Sequence, residues 1–238
     1  MPNCIFQFKE FAVWSHIGGF KVGTDAVLMG AWTGISDNQS VLDVGTGTGV
    51  ISLMIAQRAN TSLTAVELDR NAATQAKFNF QRSKFGRLTV VNSSVQDFSA
   101  TTTKQFDHIV CNPPFFQFSS KPNSETLQKA KHTDTLCPSD VLKSSSKMIS
   151  ESGKVSIVIP YKDEQEWLSI GNSMEFYPTR KLLLRPAPEF DIKRVLVEFG
   201  RVDASCEVNE IIVEEGERNN RSYTTEFQKM MKDYFIRF

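Results

Sequence analysis

Three alternate glycines constrain this chain more than any other feature. They lie in Val41-Leu42-Asp43-Val44-Gly45-Thr46-Gly47-Thr48-Gly49, where a β-rich run passes into a helical pattern. Glycine admits positive φ and leaves space for a ligand to touch the backbone. A turn of this kind turns its N–H groups, and the N-terminus of the helix after it, toward whatever binds there. Its third glycine comes one residue earlier than in the GxGxxG turn of nicotinamide and flavin enzymes, which argues against a nicotinamide oxidoreductase.

The surrounding pattern is α/β. From about residue 40, short β-rich runs (40–44, 63–67, 88–92, 107–112, 155–160) alternate with helical spacings (50–58, 71–83, 140–150). Such alternation builds βαβ units, a mostly parallel sheet and helices on both faces. The polar run 99–104 reads as a loop, and Ser144 to Ser146 as a helix face. Beyond Pro160, runs 180–185 and 194–199 read as an antiparallel pair with a turn at Pro186-Ala187-Pro188. A further strand at 208–214 and a last short helix at 224–234 are expected, and Ile5-Phe6-Gln7-Phe8 is strand-like.

Composition narrows the function classes. Lys+Arg and Asp+Glu are both 27, which argues against coating nucleic acid by bulk charge but not against a local basic patch. Cys4, Cys111, Cys137 and Cys206 form no CxxC pair, so a zinc ribbon is not expected, and scattered thiols suit a reducing compartment. His16, His108 and His132 are too dispersed for a metal site; His16 and His108 read as structural. With no signal-like N-terminus and no apolar run of about 18 residues, the expectation is a soluble, cytoplasmic, monomeric single domain over 1–238. Its parts would be an N-terminal segment (1–39), a Rossmann-like core (40–200) and a C-terminal extension (201–238).

Glu67 closes the second strand, about 20 residues beyond the first glycine, where an acid can accept hydrogen bonds from both hydroxyls of a ribose. The Asp43 to Gly49 motif resembles the first motif of class I S-adenosylmethionine-dependent methyltransferases. The resemblance implies a Rossmann-like fold with a mostly parallel seven-stranded sheet and an antiparallel strand near one edge. It implies that Asp43, Gly45, Thr46, Gly47 and Gly49 meet the methionine end of the cofactor and that Glu67 and Leu68 meet the ribose. The adenine position falls at Ser94 and Val95, with Asp97 three residues on; whether Ser94 or Asp97 reads the ring stays open.

Asn112-Pro113-Pro114-Phe115 follows the fourth strand at the sheet's carboxyl edge, where open α/β sheets bind ligands. An exocyclic amine on a conjugated ring is a poor nucleophile, and two acceptors aimed at its hydrogens favour a pyramidal nitrogen. Asn112 offers a side-chain oxygen and Pro113 a carbonyl, while neither proline carries an N–H. The prolines stiffen the corner, and Phe115 can stack on a base. The tetrapeptide resembles the Asn-Pro-Pro-aromatic motif of amino-methyltransferases, which act on adenine N6 in DNA or RNA and on glutamine N5 in protein. By that resemblance Asn112, Pro113, Pro114 and Phe115 are catalytic, with Asn112 also touching the cofactor.

The amine remains to be chosen. There is no room for a base-reading domain of the DNA enzymes, and only about 40 residues precede the first core strand, too few for the helical domain of the glutamine enzymes. Phe20-Lys21-Val22-Gly23-Thr24-Asp25 with Leu28-Met29-Gly30-Ala31-Trp32, and Lys131-His132-Thr133 after the catalytic corner, resemble bacterial tRNA (adenine-N6)-methyltransferases that modify adenine 37 of a valine tRNA. The expected activity is methylation of that adenine, with glutamine-N5 methylation of a protein factor as the alternative. Lys21 and Thr24 are expected at the cofactor or target base, with Thr24 also a candidate helix cap. Phe115, Phe116, Lys129, Lys131 and His132 are expected to contact the RNA. Lys121, with Arg180, Lys181, Arg185, Lys193 and Arg194, would extend a phosphate track.

Overall fold

A computed structural model describes residues 5–17, 21–113, 136–217 and 220–238. A small hairpin, β1 (Ile5–Gln7) and β2 (Ala12–Trp14), precedes α1 (Thr24–Trp32). The core then runs β3 (Ser40–Val44), α2 (Val50–Arg58), β4 (Ser62–Glu67), α3 (Arg70–Arg82), β5 (Leu88–Asn92), α4 (Val95–Thr101) and β6 (Phe106–Cys111). It continues through α5 (Pro138–Met148), β7 (Ile149–Pro160), α6 (Glu164–Ser173), β8 (Tyr177–Arg185), β9 (Arg194–Gly200) and β10 (Glu207–Ile212). A two-residue pairing of β11 (Glu214–Glu215) with β12 (Ser222–Tyr223) leads into α7 (Thr225–Met231).

The main sheet has the order β10-β8-β9-β7-β6-β3-β4-β5. Only β9 is antiparallel to its neighbours, as expected for a strand near one edge. The sheet has eight strands rather than seven, because the expected run near 208–214 pairs parallel with β8. The chain builds outward from β3 through β4 to β5, then returns to the other side of β3 as β6. That reversal opens a crevice at the carboxyl ends of β3 and β6.

Burial on both faces explains the central strands. In β3 every residue after Ser40 is buried, so the sequence reads as continuous apolar chain interrupted by Asp43. One face packs α1, α2 and α7 over Val41, Ala65, Val110, Val158 and Leu196; the other packs α4, α5 and α6 over Leu42, Ile109, Ile157 and Val197. No helix among the described residues is long and apolar enough to cross a membrane.

Several local expectations change. Residues 99–101 belong to α4 rather than a loop, because Phe98 and Ser99 bury against the sheet side of that helix. Helix α6 had no counterpart in the sequence pattern; it has few apolar positions and is fastened by Trp167. In α5, Ser144 and Ser145 turn inward while Ser146 faces out, so the serine run is not one face. Thr24 is the first residue of α1, and Gly23 occupies the cap position.

Candidate active site

The glycine turn is held in a conformation that only glycine adopts easily. Gly45, Gly47 and Gly49 have φ of 69°, 56° and 81°. The Gly45 and Thr46 N–H groups donate to the Val66 carbonyl at 2.8 and 3.3 Å, pinning the turn to β4. A Cβ on Gly49 would lie 2.5 Å from the Phe80 ring, whereas one on Gly47 would meet nothing within 4 Å. The turn is thus closed on its α3 side and open at Gly47.

Asp43 sits fully buried beneath it. Its Oδ2 accepts hydrogen bonds from the Thr46 and Ser52 hydroxyls, both at 2.7 Å, and its Oδ1 has no partner among the described residues. Burial pushes its carboxyl up to about 6; the two hydroxyls only partly oppose this, and the charge of Glu67 adds to it. Glu67 accepts from the Gly47 N–H at 2.9 Å and the Asp69 N–H at 3.0 Å. The acid at the end of β4 therefore shapes the glycine turn as well as facing its mouth. The Asn92 amide donates to the carbonyls of Glu67 and Leu68 at 2.8 and 2.9 Å, and Leu68 is 54% exposed, a free apolar shelf. Ser94 caps α4: its Oγ accepts from the Asp97 N–H at 3.0 Å and donates to Asp97 Oδ2 at 2.7 Å, with Val95 buried behind it. Ser94 and Asp97 are one hydrogen-bonded unit rather than alternatives.

Across the crevice, Cys111 pairs with Val44, which sets Asn112 beside Gly45. Asn112 Oδ1 is buried with no partner among the described residues, and Pro113 is buried next to it. Pro114, Phe115, Phe116, Lys121, Lys129, Lys131 and His132 lie outside the described residues. The chain re-enters at Leu136, 3.7 Å from where a Gly45 Cβ would be. Two orphaned buried acceptors, Asp43 Oδ1 and Asn112 Oδ1, thus flank a glycine cradle with open space at Gly47 and an acid at Glu67. A buried polar atom without a partner is costly, and this set fits a ligand with hydrogen-bond donors, a diol and a flat ring.

Sequence reasoning missed the fastening of this site. Asn79 of α3 donates to the Thr48 carbonyl at 2.8 Å and to the Trp14 carbonyl at 2.9 Å, and accepts from the Trp14 N–H at 3.0 Å. Gln75 accepts from the Ile17 N–H at 2.8 Å. Both amides are buried, and together they clip the N-terminal hairpin to the glycine turn. The available signal was two amides, four residues apart, on the apolar face of a helix. Lys21 is exposed at the described end of that segment. Thr24 lines a cleft against β8 and β9, described further below.

The anticipated basic track divides. Arg180 pairs with the buried Glu198 at 2.7 Å and stacks over Trp32, and Lys181 pairs with Glu164 at 2.9 Å. These two cations hold α1 and α6 to the sheet and are not a phosphate surface. Arg185 pairs with Glu210 at 2.6 Å and Arg194 with Asp25 at 3.1 Å, both at the carboxyl edge with Lys193. His108 is structural as expected: buried, 2.9 Å from the Ser156 hydroxyl, with burial pushing its pKa down to about 4. Among the described residues no group of His, Cys, Asp and Glu could hold a metal.

Comparison with known proteins decides the family. Residues 9–167 match the methyltransferase small domain. A tRNA1(Val) (adenine(37)-N6)-methyltransferase of Trichodesmium erythraeum is 35% identical over 98% of both chains, and one of Parabacteroides distasonis is 36% identical over the full length of both. The chain belongs to this methyltransferase family. Solved structures support the same fold at low identity. A predicted O-methyltransferase from Agrobacterium tumefaciens superposes with a TM-score of 0.67 at 18% identity, covering 88% of this chain and 96% of the other. A methyltransferase from Pyrococcus furiosus gives 0.61 at 17% identity, covering 80% and 89%. As a class I methyltransferase the chain uses S-adenosylmethionine, and the Asp43, glycine-turn and Glu67 arrangement fits that cofactor.

Proposed function

We propose that this methyltransferase transfers the methyl group of S-adenosylmethionine to N6 of adenine 37 in tRNA1(Val). The full-length relatives carry that name, and one observation makes the chemistry specific: the buried, unpartnered Oδ1 of Asn112 beside Gly45. An amine placed there donates one hydrogen to Asn112 and the other to the Pro113 carbonyl. Both acceptors strengthen as the nitrogen becomes cationic, so they stabilise the transition state more than the ground state.

The cofactor when bound supplies an electrophilic methyl on a positively charged sulfur. On this reading Asp43, Gly45, Thr46, Gly47 and Gly49 hold its methionine end, Glu67 its ribose with Leu68 alongside, and Ser94-Asp97 with Val95 the adenine edge. Lys21 covers the entrance. Pro114 and Phe115 complete the corner, with Phe115 and Phe116 against the target base and Lys129, Lys131 and His132 on the RNA. Alignment of nitrogen and methyl, rather than a strong base, supplies most of the acceleration. The glutamine alternative has no relative among those named above to support it.

The test is to incubate the protein with cofactor and unmodified tRNA, then digest to nucleosides for mass spectrometry. N6-methyladenosine at position 37 is expected. Asn112→Ala should lower the rate by at least about a hundredfold while leaving cofactor affinity nearly unchanged. Methylation of a protein factor but not tRNA, or full activity in Asn112→Ala, would refute the reading.

A further inference from the structure

Beyond the crevice, the carboxyl edge of the sheet carries a second cleft of about 230 Å³. Its walls are the start of α1, the end of β8 with the following turn, the start of β9 and residues just after β10. Leu28 and Leu184 lie buried beneath it, half-buried Pro186 is an apolar wall, and Asp25 and Arg194 meet across it at 3.1 Å. We propose that this cleft is a subsite for a nucleotide that flanks the methylated adenine, its base against Pro186 and its edge at Asp25. The proposal rests on the tRNA reading given above and extends it to a second position of the RNA.

Placement comes first. Pro160, at the end of β7, pairs with Arg194, and β7 lies between β6 and β9. Neighbouring strands are about 4.8 Å apart and Arg194 stands two residues further along the strand direction, a rise of about 6.6 Å, so it lies about 12 Å from Asn112. That is too far for the base being methylated and within reach of the next nucleotide in a splayed single strand. Chemistry comes second. The cleft has room for one ring system, and Thr24, Asp25, Lys193, Arg194 and Glu214 are its polar lining. Asp25 keeps 30% of its side chain exposed beside its Arg194 partner, so it can accept a further donor from a ligand. A base edge carrying N–H groups supplies one. Lys193, exposed at the rim, is placed for the adjoining phosphate. The third argument is modular. The shared methyltransferase domain ends at residue 167, and the wall formed by Leu184, Pro186, Lys193, Arg194 and Val213 lies wholly beyond it. Thr24, Asp25 and Leu28 lie within that domain, so the cleft joins it to the part of the chain that follows.

Thr24 is exposed at the start of α1 and lines the cleft, so Thr24→Trp fills it without disturbing the core. Binding of the whole protein is measured by fluorescence anisotropy to the anticodon stem-loop of tRNA1(Val), and to two versions made abasic on one side or the other of adenine 37. Thr24→Trp is expected to weaken the intact RNA by about tenfold. On one of the abasic RNAs the penalty should shrink to within about twofold. Asp25→Asn should repeat the pattern with a smaller effect. Equal penalties on all three RNAs, or no penalty on the intact one, overturn the subsite even if the wild-type protein still methylates adenine 37. Failure of the wild-type protein to bind and methylate the intact RNA overturns the parent reading and the subsite together.

Discussion

Two buried carboxylates, one in each half of the sheet, have been given opposite tasks. Glu198 on β9 accepts from Arg180 at 2.7 Å and from Lys154 and Thr179 at 2.8 and 2.9 Å, so both oxygens are satisfied. Burial alone would raise its pKa, but these partners overcome that and hold it near 2. Asp43 on β3 is more deeply buried, only one of its oxygens has donors among the described residues, and burial raises its pKa to about 6. A carboxylate that the fold completes is a structural strut, and Asp43 is not completed in that way.

Glu198→Ala tests the strut and carries the largest expected effect. Leaving Arg180 and Lys154 without their acid should cost about 3–5 kcal/mol, read as a lower denaturant midpoint at unchanged cofactor affinity in the folded fraction. Asp43→Asn should do the reverse. The native pKa of Asp43 lies above its unfolded value of 3.8, so the folded state binds the extra proton between pH 4 and 6. Its contribution to stability therefore falls as pH rises through that window, by about 3 kcal/mol. The ligand-free Asn variant should lose this slope and be at least as stable at pH 7, while cofactor affinity drops. Parallel pH curves for the two proteins would show that Asp43 is not destabilised by burial.

A smaller effect separates the two sides of the glycine turn. Gly49→Ala combines a φ of 81° with a Cβ 2.5 Å from the Phe80 ring and should cost about 1–3 kcal/mol of stability. Gly47→Ala meets only open space, so its stability cost should be about 1 kcal/mol, with the main loss in cofactor affinity measured by calorimetry. If both variants lost only stability, the open side of the turn would not be the cofactor's side.

The βαβ frame, the glycine turn, the Glu67 position and the Asn112 corner were all legible in the sequence. Each depends on short-range geometry: strand period, positive φ at glycine, fixed φ at proline. Helices α4 and α6 were not, since short helices with few apolar positions take their stability from packing rather than from their own pattern. Nor were the eighth strand's direction, the Asn79 clip or the fate of Arg180 and Lys181. A lysine or arginine reads the same in sequence whether it faces solvent or a buried acid.

What the chain alone determined, then, was the local chemistry of the crevice, because backbone conformation at Gly45 to Gly49 and at Asn112-Pro113 is dictated by the residues themselves. Only the tertiary structure decided which polar groups are completed and which are left wanting. That depends on partners from distant strands and helices: Arg180 for Glu198 and Arg194 for Asp25, but none among the described residues for Asp43 Oδ1 or Asn112 Oδ1. The free energy of a buried charge is set by its burial and its partners, and both are fixed only in the folded arrangement.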